Sequence, residues 1–146
     1  MKKLEHILQA ATAERYEFLC RGCGRRLAGP LPRLLDAGAI RVKDQRPIFD
    51  PGRFAVSDLL AARPELGAVP PGEVIVVAED LSGVTHGVGS DVGCCGPRGA
   101  APNLACLCGR VIGTERADCM QPHFVSLDVS AVRLRPCAEG GGEGGV

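Results

Sequence analysis

A chain of 146 residues is long enough to bury a hydrophobic core as one domain of ordinary size. Its seventeen Lys and Arg are balanced by seventeen Asp and Glu, which argues against tight sequence-independent binding to nucleic acid. No apolar run is long enough to span a membrane, and polar residues interrupt the one that follows Lys2 and Lys3, so we expect neither a membrane protein nor a secretory signal.

Twenty Gly and eleven Pro, with no Trp, one Tyr and four Phe, predict a loop-rich, mainly β fold built on aliphatic residues. The exception is at the N-terminus. There the apolar residues Leu4, Ile7, Leu8 and Ala11 follow a helical spacing, which predicts a short helix over residues 2–14.

The first half of the chain contains three predicted strands. Residues 16–19 and 25–31 flank a pair of cysteines, and residues 73–78 contain the apolar run expected of a buried strand. Residues 43–53 are predicted to be a loop. Ser57 is predicted to cap a helical turn that ends before Pro64.

Residues 79–103 form a long Gly-rich connection, and a connection of this length in a compact domain is usually functional or disordered. Further strands are predicted at residues 104–107, 110–113, 124–127 and 132–134. Residues 138–146 are nearly all Gly and Glu and offer nothing to bury, so we expect a disordered tail after a single domain over residues 1–137.

Without a predicted secretory signal we expect a cytoplasmic protein, and disulfides rarely persist in that compartment. The eight cysteines are therefore more typical of metal ligands or reactive thiols. Two cysteine pairs are each followed by Gly and Arg. A Cys-x-x-Cys turn allows both sulfurs to reach one metal, and the Gly after it tolerates a positive φ. We therefore predict a structural zinc site, for which iron and four free thiols remain the alternatives. Its ligands would be Cys20, Cys23, Cys106 and Cys108.

Four thiolates around Zn²⁺ leave a net charge of −2. Four arginines that lie close in sequence could offset this charge: Arg21, Arg25, Arg26 and Arg110.

The two distant knuckles, each a cysteine pair followed by Gly, resemble those of the β-tent zinc folds of the Yippee, Mss4 and cereblon thalidomide-binding domain group. The resemblance covers the knuckles and their flanking strands. It implies a small antiparallel sheet stapled by zinc, of β-tent or zinc-ribbon type. Two departures are visible: the second pair is Cys-x-Cys instead of Cys-x-x-Cys, and the aromatic cage of cereblon cannot form without Trp.

A second group of residues suggests a further metal site or a reactive thiol. Its candidates are His86, Cys94, Cys95, Cys119 and His123. In the reactive alternative, Asp91 or Asp118 would orient an imidazole beside a cysteine, and the vicinal cysteines could also oxidise to a disulfide. The third alternative is that the cysteines only fill turns and the histidines are solvated.

These features support three hypotheses about function. The first is a non-catalytic zinc protein that binds an unidentified protein or small molecule through the 79–103 loop. The second is a thiol-dependent or redox enzyme that uses Cys94 or Cys95 with His86 or His123. The third is nucleic-acid binding through residues 1–53, which carry eleven basic and six acidic side chains, although the scarcity of aromatic platforms disfavours it.

Overall fold

The computed structural model describes residues 15–89 and 93–137 together with Leu4 and Leu8. Within these residues the prediction of a mainly β fold is confirmed. The nine strands are β1 (Arg15–Cys20), β2 (Arg26–Pro32), β3 (Ala55–Val56), β4 (Val74–Val76), β5 (Val84–His86), β6 (Leu104–Cys106), β7 (Val111–Arg116), β8 (Phe124–Leu127) and β9 (Val132–Cys137). All the pairings between these strands are antiparallel.

The strands form two sheets. The smaller has the order β2-β1-β9, with β1 in the centre, and the larger has the order β3-β4-β8-β7-β6-β5. The chain passes from the larger sheet to the smaller in the tight turn between β8 and β9. Strand β5 ends the larger sheet, so one of its edges pairs with no strand among the described residues.

The core consists of two clusters of buried apolar side chains. The first draws residues from both sheets, and Phe54 lies at its centre, in edge-to-face contact with Phe18 and Tyr16 at centroid distances of 5.1 and 5.7 Å. The second lies on the other side of the larger sheet, around Phe49 and Phe124. Edge-to-face aromatic pairs of this kind add to the stabilisation that comes from burial alone.

Strand β4 shows why residues 74–77 are a continuous apolar run. Val74 and Val76 face the first cluster, whereas Ile75 and Val77 face the second. Successive side chains of a strand point to opposite faces of the sheet, so a strand that is covered on both faces needs apolar residues at every position.

Two local predictions were wrong. Ser57 begins a 3₁₀ turn (Ser57–Ala62) but does not cap it, because its hydroxyl instead accepts a hydrogen bond from the Glu73 amide at 3.2 Å. The 79–103 connection is also not entirely loop, since it contains β5, which pairs with β6.

Most of the predicted N-terminal helix lies outside the described residues. Of that segment the structure describes Leu4 and Leu8, which are helical and buried in the first cluster. The predicted tail, residues 138–146, also lies outside them. No helix in the described part of the chain has the length and apolar character required to cross a bilayer.

Candidate metal centre

The first cysteine pair lies in the turn that joins β1 to β2. Cys20 ends β1, and its amide donates to the Arg25 carbonyl at 2.8 Å, while the Gly24 amide donates back to the Cys20 carbonyl at 2.8 Å. Gly24 has a φ of 80°, a conformation that residues with a side chain rarely adopt. The Gly therefore closes the turn that places Cys20 and Cys23 on one side.

The second pair repeats this hydrogen bonding in the turn between β6 and β7. The Cys106 amide donates to the Arg110 carbonyl at 2.8 Å, and the Gly109 amide donates to the Cys106 carbonyl at 2.8 Å. Gly109 also has a positive φ, of 99°. The turn is one residue shorter than the first, so a Cys-x-Cys pair here occupies the same place in its hydrogen-bonded turn as the Cys-x-x-Cys pair does in the other.

The sulfur atoms of the two pairs converge. All four lie within 4.8 Å of one another, and the Cys20–Cys108 and Cys23–Cys106 sulfurs are each separated by 3.6 Å. A tetrahedral ion with metal–sulfur bonds of about 2.3 Å needs its sulfurs about 3.8 Å apart. The four cysteines therefore fit a single metal ion, with two of them buried and two exposed.

The candidate centre connects the two sheets, because β1 and β2 belong to the smaller sheet and β6 and β7 to the larger. The turn between β8 and β9 binds both knuckles. Arg21 donates from Nε to the Val129 carbonyl at 3.0 Å, and Arg110 donates to the Ser130 carbonyl at 3.1 Å. The two knuckles and the chain crossing thus form one hydrogen-bonded unit.

The thiols of this group differ in acidity. Burial raises the pKa of Cys106 to about 12. Burial also opposes the ionisation of Cys20, but the amides of Cys23 and Gly22, with the neighbouring thiols, lower its pKa to about 7. The Gly22 amide lies 3.3 Å from the Cys20 sulfur. Amides directed at sulfur stabilise a thiolate, which is the form that binds metal.

Of the four arginines expected near this centre, Arg110 lies beside the sulfurs. A Cβ added at Gly22 would meet the Arg110 Cδ at 3.3 Å and the Cys108 sulfur at 3.5 Å, so the arginine stem runs beside the cluster. Arg26 points elsewhere and forms an ion pair with Glu17 at 2.9 Å.

A second group of metal-ligating side chains lies in the loops at residues 93–97 and 117–121. It consists of Cys94, Cys95, Asp118 and Cys119, with one ligand atom of each within 4.8 Å of the others. The Cys94 sulfur lies 2.8 Å from that of Cys119 and 3.4 Å from that of Cys95. The thiol–thiol contacts with Cys94 and Cys95 raise the pKa of Cys119 to about 12.

The structure places the two predicted histidines outside both groups. His86 binds Glu115, with 2.6 Å between Nδ1 and Oε1, and the His123 Nε2 lies 2.9 Å from the Asp118 carbonyl oxygen. The sequence prediction that the vicinal cysteines would lie near Cys119 therefore agrees with the geometry, whereas neither imidazole is among the grouped ligands of the described residues. Asp91 lies outside the described residues.

The sequence suggested Asp118 as a residue that orients an imidazole, whereas in the structure it is itself a member of the second group. It is buried, and its Oδ1 accepts hydrogen bonds from the amides of Cys95 and Cys119, each at 2.9 Å. These two amides hold the pKa of Asp118 below its ordinary value. The one available signal was the Gly-Cys-Cys-Gly run, since glycines on both sides of a cysteine pair suggest a close backbone contact.

No family model matches the chain, and its comparison with curated proteins and with solved structures finds no significant match.

Proposed function

We propose that this chain is a non-catalytic zinc protein in which Cys20, Cys23, Cys106 and Cys108 bind one structural Zn²⁺. The observation that carries the proposal is the convergence of four sulfurs from two knuckles, one in each sheet, at separations close to those of a tetrahedral metal thiolate. Four protein ligands leave no open coordination position, which is the pattern of structural sites and not of catalytic ones.

The energetic role of the ion follows from its position. Structural zinc supplies roughly 10–16 kcal/mol of apparent binding free energy in small domains, whereas whole domains are stable by only about 5–15 kcal/mol. An ion that joins the two sheets would therefore contribute a large share of the folding free energy. The four thiols must stay reduced to bind it, which supports the cytoplasm as the location.

Elemental analysis of the purified protein tests the identity of the metal and the number of ions bound per chain. We expect at least one equivalent of zinc per chain, and we expect the Cys23→Ser variant to lose one equivalent. Iron in place of zinc would change the identity of the centre, since sulfur tetrahedra suit both metals. A chain that is fully folded without any metal would refute the proposal.

We further propose that segment 79–103 binds a partner, with β5 as its centre. β5 ends the larger sheet, and Thr85 and His86 are exposed. The Leu107 amide donates to the Gly83 carbonyl at 3.0 Å, so the alternation of an antiparallel pair directs the backbone groups of Val84 outward. An open strand edge of this kind can accept an extended peptide as an additional strand.

A proline at position 84 tests this binding mode, because it removes an outward amide while β6 keeps its own pairing. We expect Val84→Pro to abolish retention of a partner by the zinc-loaded protein, and Val84→Ala to preserve it. Unchanged zinc content in both variants would separate this effect from loss of the fold. Equal retention by both variants would exclude addition at this edge.

The resemblance to the β-tent zinc proteins remains a proposal for the fold group. Its support is that two antiparallel sheets meet at two cysteine knuckles with matching hydrogen bonds. The ligand cage of the cereblon-type members is not part of the proposal, because the chain contains no Trp.

A further inference from the structure

The loops at residues 93–97 and 117–121 are held together independently of the first cysteine centre. The Ala117 amide donates to the Pro97 carbonyl at 2.8 Å, and the Gln121 side chain donates to the Arg98 carbonyl at 3.1 Å. Within the first loop, the Gly93 amide donates to the Gly96 carbonyl at 2.7 Å and closes a turn around the two cysteines. Three sulfurs thus meet on a surface whose backbone is fixed at several points.

The two glycines of this turn are required by close packing. A Cβ at Gly93 would lie 2.0 Å from the Asp118 Oδ2, and a Cβ at Gly96 would lie 2.9 Å from the Ala117 carbonyl oxygen. Both separations are far below ordinary van der Waals contact. At Gly96 the close atom is backbone, so a side chain there would push the two loops apart, whereas a side chain at Gly93 would displace the Asp118 carboxylate.

Asp118 organises this group through its Oδ1 atom. That oxygen accepts an amide hydrogen bond from each of the two loops and also lies 3.5 Å from the Cys94 sulfur, so it links both loops to one thiol of the group. We therefore assign Asp118 as a positioning residue. The sulfurs of Cys94 and Cys95 are exposed and that of Cys119 is partly so, and they remain available as ligands.

We propose that Cys94, Cys95 and Cys119 form a second zinc site, with three thiolate ligands and a fourth position open to water or to an exogenous thiol. Three protein ligands with one open position allow exchange of ligand and metal, in contrast to the closed first centre. Zinc binding would separate the Cys94 and Cys119 sulfurs from 2.8 Å to about 3.8 Å, a movement that side-chain rotation of these partly or fully exposed cysteines can provide. The inference goes beyond the structural role proposed above.

Zinc titration of the full-length chain, reduced and stripped of metal, tests the proposal. We expect two equivalents to bind, the weaker of which a chromophoric chelator removes first. Cys119→Ser should bind one equivalent and keep the wild-type melting temperature, whereas the matched control Cys137→Ser should bind two. Co²⁺ substitution should give a thiolate charge-transfer band that weakens in Cys119→Ser.

Two variants of Asp118 test its positioning role. Asn retains an oxygen that can accept both amides, so Asp118→Asn should keep the zinc affinity within a few-fold of wild type. Asp118→Ala should weaken it by roughly 10–100-fold, the usual effect of losing a group that orients ligands.

Three results would overturn the second site. One is a single equivalent of zinc in the reduced wild-type protein, released only by Cys23→Ser. Another is two equivalents retained in Cys119→Ser. The third is a mass that is lower by two hydrogen atoms in reducing buffer, with Cys94 and Cys119 cross-linked. That result would identify the group as a disulfide pair. Each result leaves the first centre to be judged by its own variants.

Discussion

The Cys23 sulfur lies 3.6 Å from the Cys106 sulfur, although the two residues are 83 positions apart and lie at turns of different sheets. Bringing together two residues that are so far apart in sequence costs chain entropy, so a further interaction must stabilise the contact. In the proposed holoprotein the bound metal ion provides this stabilisation. The first prediction follows directly from this pair.

Replacing Cys23 or Cys108 with Ser should release the zinc of the first centre and largely unfold the domain, so that any zinc bound by the second cysteine group is weakened as well. The reason is that three remaining thiolates bind the ion more weakly while the sheets lose their cross-link. Circular dichroism and metal analysis would measure the effect. Cys137→Ser is the control, because Cys137 ends β9 and belongs to neither cysteine group. Wild-type zinc content and melting temperature in both ligand variants would contradict the assignment.

Gly24→Ala should cost about 1–2 kcal/mol of stability, the penalty of placing a side chain in the left-handed region. Gly24 has a φ of 80°, and a Cβ added there would meet nothing within 4 Å, so the loss is conformational and not steric. Gly24→Asn should lose less, since Asn tolerates this conformation better. Urea denaturation of the metal-loaded variants measures both, and equal losses for Ala and Asn would argue against this explanation.

Asn103→Ala should destabilise the fold by about 1–3 kcal/mol, the usual cost of leaving buried polar groups unpaired. The Asn103 side chain is fully buried and accepts from the Glu115 amide at 2.7 Å while donating to the Glu115 carbonyl at 2.9 Å. Thermal unfolding would report the change. Ser130→Ala is the comparison variant and should cost less, because it removes only an exposed hydrogen bond, from the Ser130 hydroxyl to Asp128 at 2.8 Å. A neutral Asn103→Ala would show that water replaces the amide.

Glu17→Gln should cost up to about 1 kcal/mol at neutral pH, within the range of partly exposed ion pairs. Glu17 accepts from Arg135 on β9 at 2.6 Å and from Arg26 on β2 at 2.9 Å. Hydrogen bonding to Arg135 and to Arg26 lowers the pKa of Glu17 below 4.5. A carboxyl whose pKa is lower in the folded state stabilises the protein above its unfolded pKa, and this stabilisation is lost as the pH falls through the folded value.

The difference in unfolding free energy between wild type and Glu17→Gln should therefore be constant above about pH 5 and shrink below pH 4.5. Denaturant titrations at several pH values would measure it. Loss of metal at low pH affects both proteins, so only the difference between them is informative. A difference that grows on acidification would contradict the assignment of Glu17 as the stabilising charge.

The sequence predicted most of the strands, because runs such as residues 74–77 and 124–127 carry the apolar pattern that packing requires. It did not predict β5, whose three residues lie between Gly83 and Gly87 and join the sheet through backbone bonds to β6. It suggested Asp118 as a partner of an imidazole and did not predict that its carboxylate lies between the two cysteine loops. That place depends on the Cys95 amide, 23 positions earlier in the chain, and such pairing leaves no periodic pattern.

The chain changes sheets in the β8–β9 turn, and the carbonyls of this turn accept hydrogen bonds from Arg21 and Arg110, one from each knuckle. In addition, the Arg21 amide donates to the Ala131 carbonyl at 2.9 Å. A displacement of either knuckle therefore also acts on the same four-residue turn. The turn couples the two sheets through hydrogen bonds as well as through the chain itself.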